Sequence, residues 1–220
     1  MKFDEIILQT DSLQAIQDFY INVLQLKLIK ATTNSVSINV GTTTLTFKLS
    51  TIQNPTYHYA INIPENQYDT ACEWLRQRTS TILYKNSDKV DFPNWNANAV
   101  YFYDSVGNIG ELIARHDLDN ATDEPFTSDS LLNISEIGLP TRDVPKLTKA
   151  LKAAIKIDTY VSGGQNFEPL GDENGLFICV VLDRDWFPTK VKSMDFPVEV
   201  VLKSDKEIEF KFENYQISSQ

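Results

Sequence analysis

The chain is short of the residues on which several chemistries depend. It holds two cysteines, Cys72 and Cys179, and two histidines, His58 and His116, in 220 residues. Two cysteines without CxxC spacing exclude a disulfide framework and a thiolate cluster. Both fall in apolar patterns and read as small buried hydrophobes of a reduced, cytoplasmic protein. With so few histidines, and no serine or cysteine that has a base nearby in sequence, nucleophilic triad chemistry has little to draw on. No apolar run approaches the ~20 residues of a membrane span. The opening MKFDEIILQT has acidic residues where a secretory signal would carry basic ones, so no such signal is expected. Positive charge is also scarce: 20 Lys and Arg against 30 Asp and Glu leave a formal charge of −10. That balance argues against nucleic acid or an anionic membrane surface as partner. Four of the eight glycines fall in VSGGQNFEPLGDENG. No Lys-Ser/Thr follows and no strand-to-helix context fits, so this stretch reads as turns rather than a phosphate loop.

What is present is ordinary globular material, 42% hydrophobic and 11% aromatic, enough for a sizeable core. Its order repeats. Residues 2–9 alternate as a strand, Ser12 is placed to cap a helix, and Leu13, Ile16, Phe19, Tyr20 and Val23 recur at helical spacing. Short strands follow at 26–29, 35–40 and 44–49. The order returns with a strand at 57–63, a helix carrying Tyr68, Ala71, Cys72 and Leu75, a strand at 81–84, a long loop over 85–98, and strands at 100–103 and 109–114. An acidic aperiodic run, 119–130, reads as a linker. Beyond it come a strand at 132–139, a helix marked by Val144, Leu147, Ala150, Leu151 and Ala154, strands at 156–161, 175–182 and 197–202, and a last alternating run with Ile208, Phe210 and Phe212 on one face. EIILQT at 5–10 aligns with EIGLPT at 136–141, and HYAINI at 58–63 takes the same place between them. One supersecondary unit is thus used three times, and each copy needs a neighbour to bury its sheet face.

Strand parity indicates where polar chemistry would gather. His58, Ala60 and Asn62 share one face of their strand, and Glu111 and Arg115 share one face of theirs. A carboxylate in the middle of an apolar strand is costly unless paired or bound, which makes Glu111 a candidate functional residue. Glu5 lies on the corresponding face of the first strand. If these faces line a concavity, Glu5, His58 and Glu111 converge as one imidazole and two carboxylates. Such a set suits Mn²⁺, Fe²⁺, Zn²⁺ or Ni²⁺, the hard ligands favouring the first two, and an open position would act as a Lewis acid. The competing reading has His58 hydrogen-bonded to Glu111 in a metal-free pocket. Trp95, Tyr101 and Tyr103, beside the long loop, are candidate pocket walls, although strand aromatics are commonly core. Arg115 reads as a surface ion pair, with a ligand carboxylate as the other option. Asn62 joins the pocket candidates, His116 reads as exposed, and Arg184, Asp185 and Trp186 read as loop residues at a strand end.

Phe19-Tyr20 followed by Val23-Leu24 and Leu26, together with Asp104, Gly107, Asn108 and Glu111 in a DxxGNxxE hairpin, resemble the vicinal oxygen chelate superfamily of glyoxalases, bleomycin-resistance proteins and extradiol dioxygenases. The likeness spans about residues 2–116 and extends more weakly into the third unit. It implies an α+β fold of tandem βαβββ units forming a glyoxalase-like cup, with a third related C-terminal unit. The units at 2–50 and 56–116 would pair within residues 1–118, and residues 131–220 would form the divergent third. It further implies His58 and Glu111 as metal ligands and catalytic groups, and Glu5 where the family carries a histidine. The implied activity is that of a metal-dependent lyase or dioxygenase on a small oxygen-bearing molecule. Metal-free binding of a small molecule, in the manner of bleomycin-resistance proteins, is the alternative. An unpaired third unit would favour a homodimer.

Overall fold

The computed structural model describes residues 1–219. Its architecture is α+β: two large sheets of repeated units, with three α-helices packed on them. The first unit runs β1 (Phe3–Thr10), α1 (Leu13–Gln17), β2 (Lys27–Ala31), β3 (Ser35–Val40) and β4 (Thr43–Leu49). Ser12 caps α1 by accepting from the Ala15 amide at 3.3 Å. A π-helical turn, Asp18–Val23, then presents Phe19 and Tyr20 to the core. The second unit is β5 (His58–Ile63), α2 (Tyr68–Arg76), β6 (Thr81–Ile82), β7 (Val90–Phe92), β8 (Ala97–Tyr103) and β9 (Ile109–Arg115). The third has β10 (Asn133–Thr141), α3 (Val144–Ile155), β11 (Phe167–Asp172) and β12 (Gly175–Val181). Three further strands, β13 (Val198–Leu202), β14 (Glu209–Phe212) and β15 (Tyr215–Ser219), have no helix between them.

The sheets differ from the expected pairing of the first two units. Hydrogen bonds join the strands as β14-β15-β13-β1-β4-β3-β2 in one sheet and β11-β12-β10-β5-β9-β8-β6 in the other, with β7 on β8. The first unit thus shares its sheet with the last three strands, through antiparallel β1–β13. The second shares its sheet with the third, through antiparallel β5–β10. Each first strand has an open edge, and that edge is filled by a strand from far along the chain rather than by its neighbour in sequence. Residues 131–219 are therefore divided between both sheets. The argument for a homodimer also loses its basis, because the third unit finds its partner within the chain.

Two local expectations change as well. Residues 90–92 of the presumed loop form β7, since alternating Val90 and Phe92 sit beside β8. The strand expected at 156–161 is irregular apart from a bridge at Thr159, and the edge position goes to β11, inside the glycine-bearing stretch.

The principal core takes Ile6, Leu8, Phe47, Tyr59, Ile61, Leu112, Ile137 and Leu139 from the inner faces of both sheets. Across it runs a buried polar cluster. The Tyr20 hydroxyl donates to Asp104 Oδ2 at 2.9 Å and also meets the Tyr59 hydroxyl. Asp104 Oδ1 accepts from the amides of Val106 and Asn108 at 3.0 and 2.8 Å, and the Asn108 side chain donates to Oδ2 at 2.8 Å. Asn108 Oδ1 in turn accepts from the Tyr57 amide at 2.9 Å. The positive φ of Gly107 (+92°) closes this turn. The cluster ties the first unit to β5 and to the start of β9, which fixes the two strands that carry His58 and Glu111.

Candidate active site: a His-Glu-Glu cup

β5, β9 and β10 lie side by side, and their outer faces build the floor of a cavity of about 330 Å³. Ala60 on β5 is flanked by Glu111 on β9 and Glu136 on β10. The small alanine leaves room for both carboxylates above it. His58 stands two residues away on the same face of β5.

One nitrogen of His58 and one oxygen each of Glu111 and Glu136 lie within 4.8 Å of one another. His58 Nδ1–H donates to the Ile109 carbonyl at 3.2 Å, because a carbonyl can only accept. That fixes the tautomer and leaves the Nε2 lone pair free, 3.6 Å from Glu111 Oε2. Burial lowers the imidazole pKa to about 4, so His58 is neutral at ordinary pH. Glu111 is pushed well above the usual carboxylate range by burial and then by repulsion from Glu136, against the pull of Arg115 and Tyr101. Glu136 is raised by burial, and Arg115 opposes the rise.

Arg115 is fully buried, a correction to its reading as a surface ion pair. Its Nη2 pairs with Glu136, its Nε donates to Asn62 Oδ1 at 3.2 Å, and its guanidinium lies 5.6 Å from the centre of the Trp95 ring. Arg115 and Asn62 thus stand behind the floor, Arg115 holding Glu136 and Asn62 holding Arg115, rather than lining the cavity. Trp95 and Tyr101 do line it. Tyr103 does not: it ends β8 39% exposed, beyond the cup. His116 is exposed, bonded to Glu65 and Asn98.

Glu5 is absent from the cup, also a correction. It lies in the other sheet, where its carboxylate accepts from the Thr46 hydroxyl at 2.5 Å. Strand registers show why. Ala60 pairs with Glu111 and, in the first unit, Ile7 pairs with Thr46, so Thr46 holds the place of Glu111 and Glu5 that of His58. Glu199 on β13 pairs with Ile7 as Glu136 pairs with Ala60, and its carboxylate is taken by Lys48 at 2.7 Å. The second sheet-face centre is therefore closed by its own hydroxyl and ammonium. In the His58 cup the matching fourth position is Ile178 on β12, which pairs with Gly138 on β10. Among the described residues, His58, Glu111 and Glu136 form the one cluster of three or more His, Cys, Asp or Glu donors with this closeness.

No protein-family model matches the chain, and no curated protein does. Solved structures match it in fold. A Bacillus subtilis "putative dioxygenase" superposes with a TM-score of 0.69 at 15% identity over 100% of this chain and 85% of that one. A point mutant of Zea mays glyoxalase I gives 0.61 at 12% identity over 99% and 93%. Zea mays glyoxalase I itself gives 0.56 at 14% identity over 91% and 74%. The fold is that of the vicinal oxygen chelate proteins. At these identities the likeness is one of architecture, and the chemistry of the cup follows from its own residues.

Sequence reasoning missed Glu136, which the aligned EIGLPT segment had marked as a repeat position, and most of the cup's walls. Phe92, Phe167, Trp186 and Phe187 line the cavity with Ile113, Ile178, Val180 and Arg184. Trp186 packs 5.0 Å from the His58 ring, over Gly138. A Cβ on Gly138 would come within 2.6 Å of the indole, so the close approach depends on glycine. Arg184 and Trp186, loop residues at a strand end in the sequence, are brought into the cup wall by the packing of the segment after β12. No described helix is long and apolar enough to cross a membrane.

Proposed function

We propose that the cup holds a divalent metal on His58, Glu111 and Glu136 and acts on a small oxygen-bearing molecule, as a lyase or dioxygenase of the glyoxalase type. The observation that carries this reading is the convergence of a neutral imidazole, its lone pair free, with two buried carboxylates inside 4.8 Å. One nitrogen and two carboxylate donors fit Mn²⁺ or Fe²⁺ best, with Zn²⁺ and Ni²⁺ also compatible. Bound there, the ion would polarise a substrate oxygen as a Lewis acid. The chain's own groups supply the rest. Asn62 positions Arg115, Arg115 orients Glu136, and the Ile109 carbonyl orients His58. Apolar walls limit water in the cup. Burial and Glu136 raise the Glu111 pKa, so a bound ion would have to favour its ionised form in order to use it as a ligand. Two buried, unpaired cysteines agree with a reducing compartment, for which we propose the cytoplasm.

A second reading rests on a different observation: Glu136 is already paired with Arg115, and Glu111 can stay neutral, so the floor is satisfied without an ion. The cup would then sequester an apolar molecule without turnover. Metal analysis of purified protein, together with thermal shifts in chelator, separates the two. Stoichiometric metal lost on His58→Ala supports the enzyme. Ligand stabilisation in chelator from a protein that takes up no supplied Mn²⁺, Fe²⁺, Ni²⁺ or Zn²⁺ supports the binder.

A further inference from the structure

The wall of the cup contains a cation without an acid. Arg184, just past β12, lines the cavity with its guanidinium 4.9 Å from the centre of the Phe167 ring. Among the described residues no carboxylate pairs with it. Asp185, next in sequence, is held by Lys192 at 2.6 Å and by Lys190 at 3.3 Å. Arg115 and Arg76, in contrast, are matched to Glu136 and Asp88. Partial burial holds the Arg184 pKa below its ordinary value with no acidic neighbour to offset it. A half-desolvated guanidinium is stabilised by an anion, and its planar fork matches a carboxylate. In a chain of formal charge −10, an anion must be drawn by such a local group rather than by the general field.

The same cavity supplies ring faces. Phe187 meets Tyr101 edge-on at 5.8 Å, and Trp186 covers His58. A volume of about 330 Å³ is near the lower end of ligand sites and suits a molecule of one or two rings.

We infer that the ligand of this cup is a small aromatic carboxylate, its ring against Trp186, Phe187 and Phe167 and its carboxylate on Arg184. Any further oxygens of the ligand are left for the His58, Glu111 and Glu136 floor. This inference rests on the proposal that the cup is the functional site, and it names the substrate class for that site.

Binding of 2-naphthoate and its neutral isostere 2-naphthamide, measured by tryptophan fluorescence and calorimetry in chelator, tests it. Wild type should bind naphthoate at least tenfold more tightly than naphthamide. Arg184→Gln should bring naphthoate down to the naphthamide level without changing naphthamide, and Arg184→Lys should restore part of the preference. Circular dichroism and the retained naphthamide affinity establish that the variants are folded. Equal affinity of wild type for both probes, or naphthoate affinity within twofold in Arg184→Gln, overturns the role of Arg184 but leaves the cup as a binding site. Failure of both probes to bind, or binding of both that survives the cavity-filling Ile178→Trp, overturns the cup as the site and the inference with it.

Discussion

Glu136 meets the guanidinium of Arg115 in a fully buried ion pair behind the floor of the cup. Taking two charges out of water is costly, and removal of one partner leaves the other uncompensated. Arg115→Met should therefore destabilise the protein by about 3–5 kcal/mol, read from urea denaturation. The double variant Arg115→Met/Glu136→Met should recover most of that loss. A small effect of the single change would show that Glu136 is neutral and needs no partner.

His58 gives the metal-free protein an acid-side sensitivity. Its pKa is about 4 in the fold against 6.5 when unfolded, so between these values the unfolded chain takes a proton that the fold refuses. The stability this site allows is full above pH 6.5 and is lost as pH falls toward 4, by on the order of 3 kcal/mol. His58→Gln should flatten that part of the profile. Superimposable profiles for the variant and the wild type would contradict the burial of a neutral imidazole.

Glu111 has the opposite sign. Its raised pKa means that above the unfolded value of 4.5 the fold keeps a proton the unfolded chain releases, so stability falls as pH rises from there. Metal-free Glu111→Gln should be more stable than wild type at pH 8, and the difference should vanish near pH 4. Metal uptake by the wild type should release protons, read by calorimetry in buffers of different ionisation enthalpy.

Asp104 supports the site from outside. It is buried and joined to Tyr20 and Asn108, and burial raises its pKa. Asp104→Ala should cost roughly 2–4 kcal/mol by stranding donors in the core. It should also weaken metal binding, because the same turn sets the start of β9.

The repeated units were legible because their periodicities are local: apolar spacing changes from helical to alternating within each copy. Parity placed His58 and Glu111 on pocket-facing surfaces for the same reason, and the structure brings them to 3.6 Å. Which units share a sheet was not legible. The edges of β1 and β5 carry the same pattern, and the choice of β13 or β10 as partner is made by contacts more than 70 residues apart. That choice put Glu136 in the cup and Glu5 outside it. Arg115 misled because an arginine at a strand end usually reaches water, whereas Asn62, Glu136 and Trp95 enclose this one. Trp186 and Phe187 lie where sequence has no period to read, and only tertiary packing sets them over His58 and Tyr101.

The central claim is that His58, Glu111 and Glu136 together hold one metal ion. Its most direct test is equilibrium dialysis against Mn²⁺ and Fe²⁺, under anaerobic conditions for iron, with metal counted per folded chain. Wild type and Glu5→Gln should each retain about one equivalent, as expected for a single three-ligand site, and His58→Ala, Glu111→Gln and Glu136→Gln should each lose it. Retention by the three cup variants, loss on Glu5→Gln, or no uptake by wild type would contradict the account.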